Sequence, residues 1–335
     1  MPSVVVVGLS GPELELFLRG RRPDFGPAAV VHWVGTDGLT PAAWAERLER
    51  LRPNVLLSGW TTPPLPEAWL GASDCPLRYV CHITGTVRRL VPRVFLERGG
   101  LVTNWGGLAA RSVAEQALLL GLAALRDLPG WHRAIELPRD QRKWDTVRTR
   151  PLHGARVGLH GFGAVARALI EMLRPFQVEI SAYSAGVPAA LMQRAGVTAA
   201  TSLIEAFRGR DIVFDCEALT PASEGTVDTA VLAALPDGAV FVNVGRGRVI
   251  DEPALVREAA SGRLRVAVDV MAAEPANVDS PLCRVPGVIV SPHIGGPTVA
   301  EYPVCGDLAL ANVRRHLAGQ PVEAALTLEM YDRAT

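Results

Sequence analysis

The 335-residue sequence lacks several features that would link it to nucleic acid, metal or a membrane. Its 34 basic and 34 acidic residues cancel, so no excess positive charge predicts a nucleic-acid partner. The five cysteines are odd in number and include no Cys-x-x-Cys pair, which disfavours a disulfide framework or a zinc site. No apolar run approaches the ~18–20 residues of a membrane span, and no signal-peptide pattern is present. We therefore expect a cytoplasmic protein without a metal, a membrane or a nucleic-acid partner.

Apolar residues are plentiful, since 49% of the chain is hydrophobic and 20% is charged, as in globular proteins. Short apolar segments alternate with helical patterns along the chain. The predicted strands are Val4–Val7, Val30–Val34, Val55–Ser58, Tyr79–Ile83, Leu101–Thr103, Arg156–Leu159, Val178–Tyr183, Ile212–Asp215, Ala239–Val244, Arg265–Val270 and Val288–Val290. This alternation is typical of α/β proteins, so we expect two doubly wound domains with parallel sheets.

The middle and the end of the chain set the expected domain boundaries. Ser112-Val-Ala-Glu115 has the pattern of a capping box and predicts a helix start, and the apolar stretch Gln116–Leu125 predicts a buried helix. The last part, with a predicted helix at Glu301–Leu317 and a possible strand in 323–329, has too few strands for a separate domain. We expect a discontinuous first domain, 1–104 with 297–335, and a second domain, 105–296.

A glycine-rich turn between a predicted strand and a predicted helix indicates a dinucleotide site. In Gly161-x-Gly163-x-x-Ala166, the glycines permit a tight turn and a close phosphate, and alanine permits close helix packing. The helix N-terminus adds free amides and a positive dipole. The predicted cofactor contacts are Gly161, Phe162, Gly163, Ala164 and Val165. The acidic residue expected ~20 residues later is replaced by Ser184, which leaves NAD and NADP both open.

Three polar residues follow three of the later predicted strands. Arg246 lies in Asn-Val-Gly-Arg-Gly, Glu274 precedes Pro275, and His293 lies in Ser-Pro-His-Ile-Gly-Gly. Open α/β sheets bind ligands beyond the carboxyl ends of their strands, so these side chains can converge there. A fixed cation, a carboxylate and an imidazole beside a dinucleotide turn are the groups that move a hydride and a proton. The pattern predicts an oxidoreductase.

These segments, in this order from about residue 79 to 298, resemble the D-isomer-specific 2-hydroxyacid dehydrogenase family. The resemblance includes the lead-in Leu152–Gly163, the loop Leu219-Thr-Pro and the three segments that carry the polar residues. It implies a Rossmann-type cofactor domain inserted in a flavodoxin-like substrate domain, a nicotinamide cofactor and a homodimer. It also implies a small 2-oxo or 2-hydroxy acid as the substrate. Further cofactor contacts that it implies are Ser184, Thr220, Val244, Gly245, Asp269 and Gly295.

The resemblance also assigns roles to the polar residues. Arg246 would hold the substrate carboxylate or keto oxygen with its planar, permanently charged fork. His293 would give a proton to the carbonyl oxygen or take one from the hydroxyl group, while Glu274 orients its ring. Thr84 and Gly85 occupy the loop whose backbone amides would bind the substrate carboxylate.

The sequence beside that loop departs from the family pattern. Where the family has acidic residues and an asparagine, this chain has Val87-Arg88-Arg89-Leu90. Two arginines suggest a substrate with a second anionic group, and a solvated turn explains them equally well. Trp105 and Trp144 are candidates for a pocket wall, although ordinary aromatic packing is the simpler interpretation.

Two other functions remain open at the level of sequence. A phosphite dehydrogenase would use the same scaffold and keep all three polar residues, whereas the related formate enzymes carry glutamine where this chain has Glu274. A dinucleotide-sensing, corepressor-like binding protein would also retain them. Turnover of a 2-oxo acid distinguishes an enzyme from a sensor.

Overall fold

The computed structural model describes residues 2–137, 149–275 and 279–333. The chain divides into two compact units, and we call residues 1–109 with 297–335 unit 1 and residues 110–296 unit 2. Each unit is built around one parallel sheet, in agreement with the expected α/β class.

Unit 1 has a five-stranded sheet in the order β2-β1-β3-β4-β5, with every pairing parallel. This is the strand order of flavodoxin-like folds. Its strands are β1 Ser3–Leu9, β2 Ala29–Gly35, β3 Val55–Ser58, β4 Tyr79–His82 and β5 Leu101–Thr103. Its helices are α1 Gly11–Leu18, α2 Pro41–Leu51, α3 Glu67–Gly71, α4 Arg93–Glu97, α13 Tyr302–Leu317 and α14 Leu328–Arg333. Helix α5 Leu108–Leu125 begins at the boundary and lies mostly in unit 2.

Unit 2 has a seven-stranded sheet in the order β12-β11-β10-β9-β6-β7-β8. Six of these strands have the classical dinucleotide-binding order, with β6 at the point where the order reverses. The strands are β6 Arg156–His160, β7 Glu179–Tyr183, β8 Thr198–Ala199, β9 Ile212–Asp215, β10 Val240–Asn243, β11 Arg265–Val268 and β12 Ile289–Val290. The helices are α6 Leu128–Glu136, α7 Ala164–Leu173, α8 Ala189–Arg194, α9 Leu203–Phe207, α10 Thr229–Ala233, α11 Glu252–Ala260 and α12 Pro281–Arg284.

Continuous apolar strands explain why both sheets are covered on two faces. All four residues of β9 and all four of β10 are buried, as are Val5, Val6 and Val7 of β1. Successive side chains point to opposite faces of a sheet, so a strand buried throughout must carry helices on both sides. This arrangement leaves the carboxyl edge of each sheet for polar loops.

Helix α5 differs from its prediction in two ways. It begins at Leu108, so Ser112 is a buried residue inside the helix and the predicted capping box at 112–115 is wrong. The helix is also only half buried, with Leu119 58% exposed. Among the described residues it is the one helix long and apolar enough to cross a membrane, a test that core helices of globular proteins also pass.

The structure differs from the sequence prediction at three other places. A genuine capping box lies at Ser10 and Glu13 and starts α1, which the sequence analysis did not predict. The short strand β8 was also missed, because two residues carry no detectable alternation. Segment 323–329 forms no strand; Ala325 makes an isolated antiparallel bridge to Thr103 instead.

Candidate active site

The glycine-rich turn lies between β6 and α7 and leaves its backbone open on one side. Gly161 has φ of +92°, and a Cβ there would lie 2.9 Å from the backbone of Cys216 and Glu217. Gly163 precedes α7 without a side-chain cap, and a Cβ built on it would meet nothing within 4 Å. Ala166 is fully buried against the sheet. These features fit a phosphate at the N-terminus of α7.

Two polar pairs lie beside this turn, and the sequence analysis predicted neither of them. Ser184, just after β7, donates a hydrogen bond to Glu217 Oε2 at 3.1 Å. His160 Nδ1 lies 2.7 Å from Asp215 Oδ2, and both residues are almost completely buried. Burial lowers the pKa of His160, but the charge of Asp215 and its hydrogen bond outweigh this and leave the pKa raised.

Arg246 is placed by the glycine that follows it. A Cβ on Gly247 would lie 1.9 Å from the carbonyl carbon of Met271, so only glycine allows these two loops to touch. The contact brings the arginine near the segment that carries Glu274. Arg246 Nη1 donates to the backbone oxygen of Gly245 at 2.7 Å. Burial lowers the pKa of Arg246, while the nearby Glu274 carboxylate acts to raise it.

Glu274 and His293 form the central pair of the site. Glu274 Oε2 lies 2.8 Å from His293 Nδ1, and the two side chains are 32% and 47% exposed. The backbone N–H of Met271 donates to Glu274 Oε1 at 3.4 Å. Partial burial acts to raise the pKa of Glu274, but the hydrogen bond and charge of His293 outweigh it and leave the pKa below its ordinary value.

Asp269 holds the loop that presents His293. This carboxylate is only 3% exposed and lies directly after β11. It accepts hydrogen bonds from Ser291 Oγ at 2.5 Å, Ile294 N at 3.0 Å and Gly295 N at 2.9 Å. A Cβ on Gly295 would lie 2.8 Å from Asp269 Oδ2, so glycine is needed there. The histidine itself has φ of +57°, an uncommon conformation for a non-glycine residue that this network supports.

The other predicted cofactor positions line the same edge of the sheet in unit 2. Thr220 follows β9, and its backbone N–H donates to Ser223 Oγ at 2.8 Å. Val244 and Gly245 follow β10 and are both buried. Gly245 N donates to Asn243 Oδ1 at 2.9 Å. Arg246, Glu274 and His293 therefore come together, with the predicted cofactor positions around them.

The predicted substrate loop follows β4 in unit 1. Thr84 is fully buried, and its Oγ1 lies 2.6 Å from Nε2 of His82. Burial lowers the pKa of His82 to about 4. Asn104 Nδ2 donates to the Gly85 carbonyl at 2.7 Å. A Cβ on Gly85 would lie 2.7 Å from the indole of Trp105, so the loop packs directly on that ring.

The two arginines beyond this loop are exposed. The positive charge of Arg88 helps to lower the pKa of Asp332 on α14, so Arg88 interacts electrostatically with a carboxylate of the protein itself. Arg89 forms no ion pair within the part of the chain that the structure describes. Trp144, the other proposed pocket aromatic, lies outside the described residues.

The two parallel sheets and the turn at the strand-order reversal define a doubly wound α/β protein with a dinucleotide site. Residues 118–295 match the model of the family described as "D-isomer specific 2-hydroxyacid dehydrogenase, NAD binding domain". The chain belongs to this family, as the motifs predicted. The family implies a nicotinamide dinucleotide cofactor, and the open turn at Gly163 fits one.

Individual relatives span several activities. A hydroxyphenylpyruvate reductase from Plectranthus scutellarioides is 32% identical over 68% of this chain and 71% of its own length. A D-3-phosphoglycerate dehydrogenase from Mycobacterium bovis is 31% identical over 69% of this chain but only 43% of its own length. The structure of Rhodotorula graminis D-mandelate dehydrogenase has a TM-score of 0.82 at 21% identity, covering 97% of this chain and 98% of its own. That likeness shows the fold alone.

Proposed function

We propose that the protein interconverts a 2-oxo acid and a D-2-hydroxy acid, with His293 exchanging the proton. Unit 2 is the dinucleotide-binding domain in this proposal, and unit 1 is the substrate domain. The bound nicotinamide supplies or accepts the hydride. The observation that carries the proposal is the 2.8 Å contact between His293 and Glu274, in a site that also contains Arg246.

The pairing with Glu274 determines which ring nitrogen acts. A carboxylate only accepts hydrogen bonds, and the pKa of Glu274 is below its ordinary value, so His293 Nδ1 carries the proton in this pair. Nε2 is then the nitrogen that faces the reacting oxygen. During reduction it donates a proton to the carbonyl oxygen, and during oxidation it takes the hydroxyl proton.

Arg246 binds the substrate anion in this proposal. Its guanidinium stays charged at any working pH, and its five donors suit a carboxylate or a carboxylate with the neighbouring keto oxygen. The tight contact of Gly247 with Met271 fixes the backbone that carries it. The resulting orientation holds C2 of the substrate close to the histidine.

The aromatic side chains of unit 1 favour a substrate with a bulky apolar group. Trp60 is 52% exposed, and its ring centre lies 6.4 Å from that of Trp105 and 5.7 Å from that of Tyr302. Trp105 in turn packs on Gly85 of the predicted substrate loop. A relative named hydroxyphenylpyruvate reductase acts on an aromatic 2-oxo acid by its name, which supports the same class. A second anionic group, inferred from Arg88 and Arg89, stays a prediction.

We also propose that the protein is a homodimer. Exposed apolar side chains on α5 and α6 of unit 2 support this, with Leu119, Leu128 and Ile135 at 58%, 55% and 61% exposure. Such side chains are typical of surfaces that another protein covers.

A panel of 2-oxo acids with NADH and NADPH tests the proposed function. The panel contains glyoxylate, hydroxypyruvate, 4-hydroxyphenylpyruvate and a dianionic 2-oxo acid, and phosphite is assayed with the oxidised cofactors. We expect reduction of an aromatic 2-oxo acid, and we expect His293→Ala to lower kcat/KM by about 10²-fold or more. His153→Ala, which removes an exposed histidine of unit 2, is the matched control.

The panel also separates the alternatives. An unchanged rate in His293→Ala would exclude the proposed proton transfer. Oxidation of phosphite without reduction of any 2-oxo acid would favour the phosphite activity. Tight binding of cofactor without any turnover would favour a sensing protein.

A further inference from the structure

The ribose end of the cofactor site contains a carboxylate that comes from an unexpected strand. In doubly wound dinucleotide domains, an acidic residue after the second strand of the first βαβ unit binds the ribose hydroxyls. Here that position is Ser184, and its Oγ donates to Glu217 Oε2 at 3.1 Å. Glu217 lies after β9, on the opposite side of β6 from β7. A carboxylate therefore reaches the same place from the neighbouring side.

Several contacts fix Glu217 in this position. Its backbone N–H donates to Asp215 Oδ1 at 3.1 Å, and its own Oε1 accepts from Ala218 N at 3.1 Å. A Cβ on Gly161 would lie 2.9 Å from Glu217 N, so the residue touches the phosphate-binding turn. The serine holds the remaining carboxylate oxygen. The side chain is thus oriented before any ligand arrives.

The charge at this place is negative. Among residues 2–137, 149–275 and 279–333, no arginine is in an ion pair with Glu217, and the adjacent His160 is already paired with Asp215. The glutamate is half-buried at the open edge of the sheet, where water screens its charge incompletely. A carboxylate accepts hydrogen bonds from ribose hydroxyls and repels a phosphate in their place.

We propose that Glu217 determines cofactor specificity by binding the adenosine ribose and excluding the 2′-phosphate of NADPH, which makes the protein selective for NADH. This inference rests on the proposed function only in requiring a nicotinamide dinucleotide in unit 2. Ser184 acts as a positioning residue, because it has no charge and holds the carboxylate oxygen. Ser184 alone leaves the cofactor preference open. The proposal assigns that preference to Glu217, which lies 33 positions later.

Equilibrium binding tests the proposal without turnover. The dissociation constants of NADH and NADPH are measured by nucleotide fluorescence for the wild type, Glu217→Gln and Glu171→Gln. Glu171 is an exposed carboxylate paired with Arg174 on the helix that follows the same turn, so it is the matched control. We expect the wild type to bind NADH about tenfold or more tightly than NADPH. Glu217→Gln should reduce that ratio by a similar factor, and Glu171→Gln should keep it.

The ratio separates specificity from folding, because a misfolded variant would lose both nucleotides together. Equal affinities in the wild type, or a preference for NADPH, would overturn the proposal. A preference for NADH that Glu217→Gln leaves intact would also overturn it, while the proposed function would stand. If neither nucleotide binds the wild type, both the inference and the proposed function are wrong.

Discussion

Replacing Asp269 with asparagine tests whether this buried carboxylate holds the loop of His293. The carboxylate accepts three hydrogen bonds, two at Oδ1 from Ser291 and Ile294 and one at Oδ2 from Gly295. Asparagine has the same shape but only one acceptor oxygen. If that oxygen takes the Oδ1 position, the amide NH₂ faces the N–H of Gly295, and a buried donor loses its partner.

The magnitude follows from the smallest possible loss. One hydrogen bond to a charged acceptor contributes about 1.5–3 kcal/mol. In the opposite amide orientation the N–H of Ile294 loses its acceptor, while the Ser291 hydroxyl can accept from the amide NH₂. A shift of about 2 kcal/mol in the loop's arrangement corresponds to roughly 30-fold in its population. We therefore expect Asp269→Asn to lower kcat/KM for the 2-oxo acid by about 10- to 100-fold.

Steady-state kinetics at saturating cofactor give the answer, with urea unfolding to check the fold. Asp228→Asn is the matched control, because Asp228 caps α10 through Val231 N and asparagine caps helices equally well. An activity of Asp269→Asn within twofold of the wild type would refute the loop-holding role. A rise confined to the KM for the cofactor would instead favour the predicted cofactor contact.

Two further substitutions test packing and buried charge. Gly247→Ala places a Cβ 1.9 Å from Met271, so we expect a destabilisation of about 3 kcal/mol and a higher KM for the 2-oxo acid, whereas Gly71→Ala has open space. Unaltered KM and stability would contradict this. Asp215→Asn removes the partner of buried His160, and we expect the free energy of unfolding, measured in urea at pH 6, to fall by about 3 kcal/mol. Because the pKa of His160 is raised in the folded state, its stabilising protonation is complete below about pH 6.5 and is lost as pH rises through the folded pKa. The loss of stability in Asp215→Asn should therefore be smaller at pH 9 than at pH 6. An equal loss at both pH values would contradict a stabilising protonation of His160.

The sequence predicted the framework well because parallel strands carry strong local signals. The bounds predicted for β3, β5 and β9 match the structure, since each is a short apolar run with sharp polar ends. The α/β class and the family follow from such runs and from the glycine motifs. These signals need no knowledge of contacts between distant residues.

Capping-box spacing did not predict helix starts correctly, because two segments have the same spacing and only one of them starts a helix. Ser112 and Glu115 have capping-box spacing, yet Leu108–Arg111 are good helix formers and extend the helix upstream. Ser10 and Glu13 have the same spacing and do start a helix, because Pro12 suits its first turn. Spacing alone therefore does not separate a helix start from a helix interior.

The polar pairs of the site were beyond prediction for a different reason. His160 and Asp215 are 55 positions apart, and Ser184 and Glu217 are 33 apart. Each residue alone is consistent with an ordinary strand end. Only the register of β6 with β7 and β9 brings the pairs together, and register is a property of the assembled sheet.

His293 must be accessible and must also be held in place, and its neighbours make both possible. In the proposed reaction the side chain that exchanges a proton with the substrate must be accessible, and His293 is 47% exposed. An accessible side chain has few neighbours to hold it. Glu274 contacts the ring of His293, and the backbone of the loop must fix the rest of its position. The buried carboxylate of Asp269 and the restricted space at Gly295 provide this fixation without covering the imidazole. Because Asp269 does this from the interior, its substitution should affect the geometry of catalysis more than the chemistry of the ring.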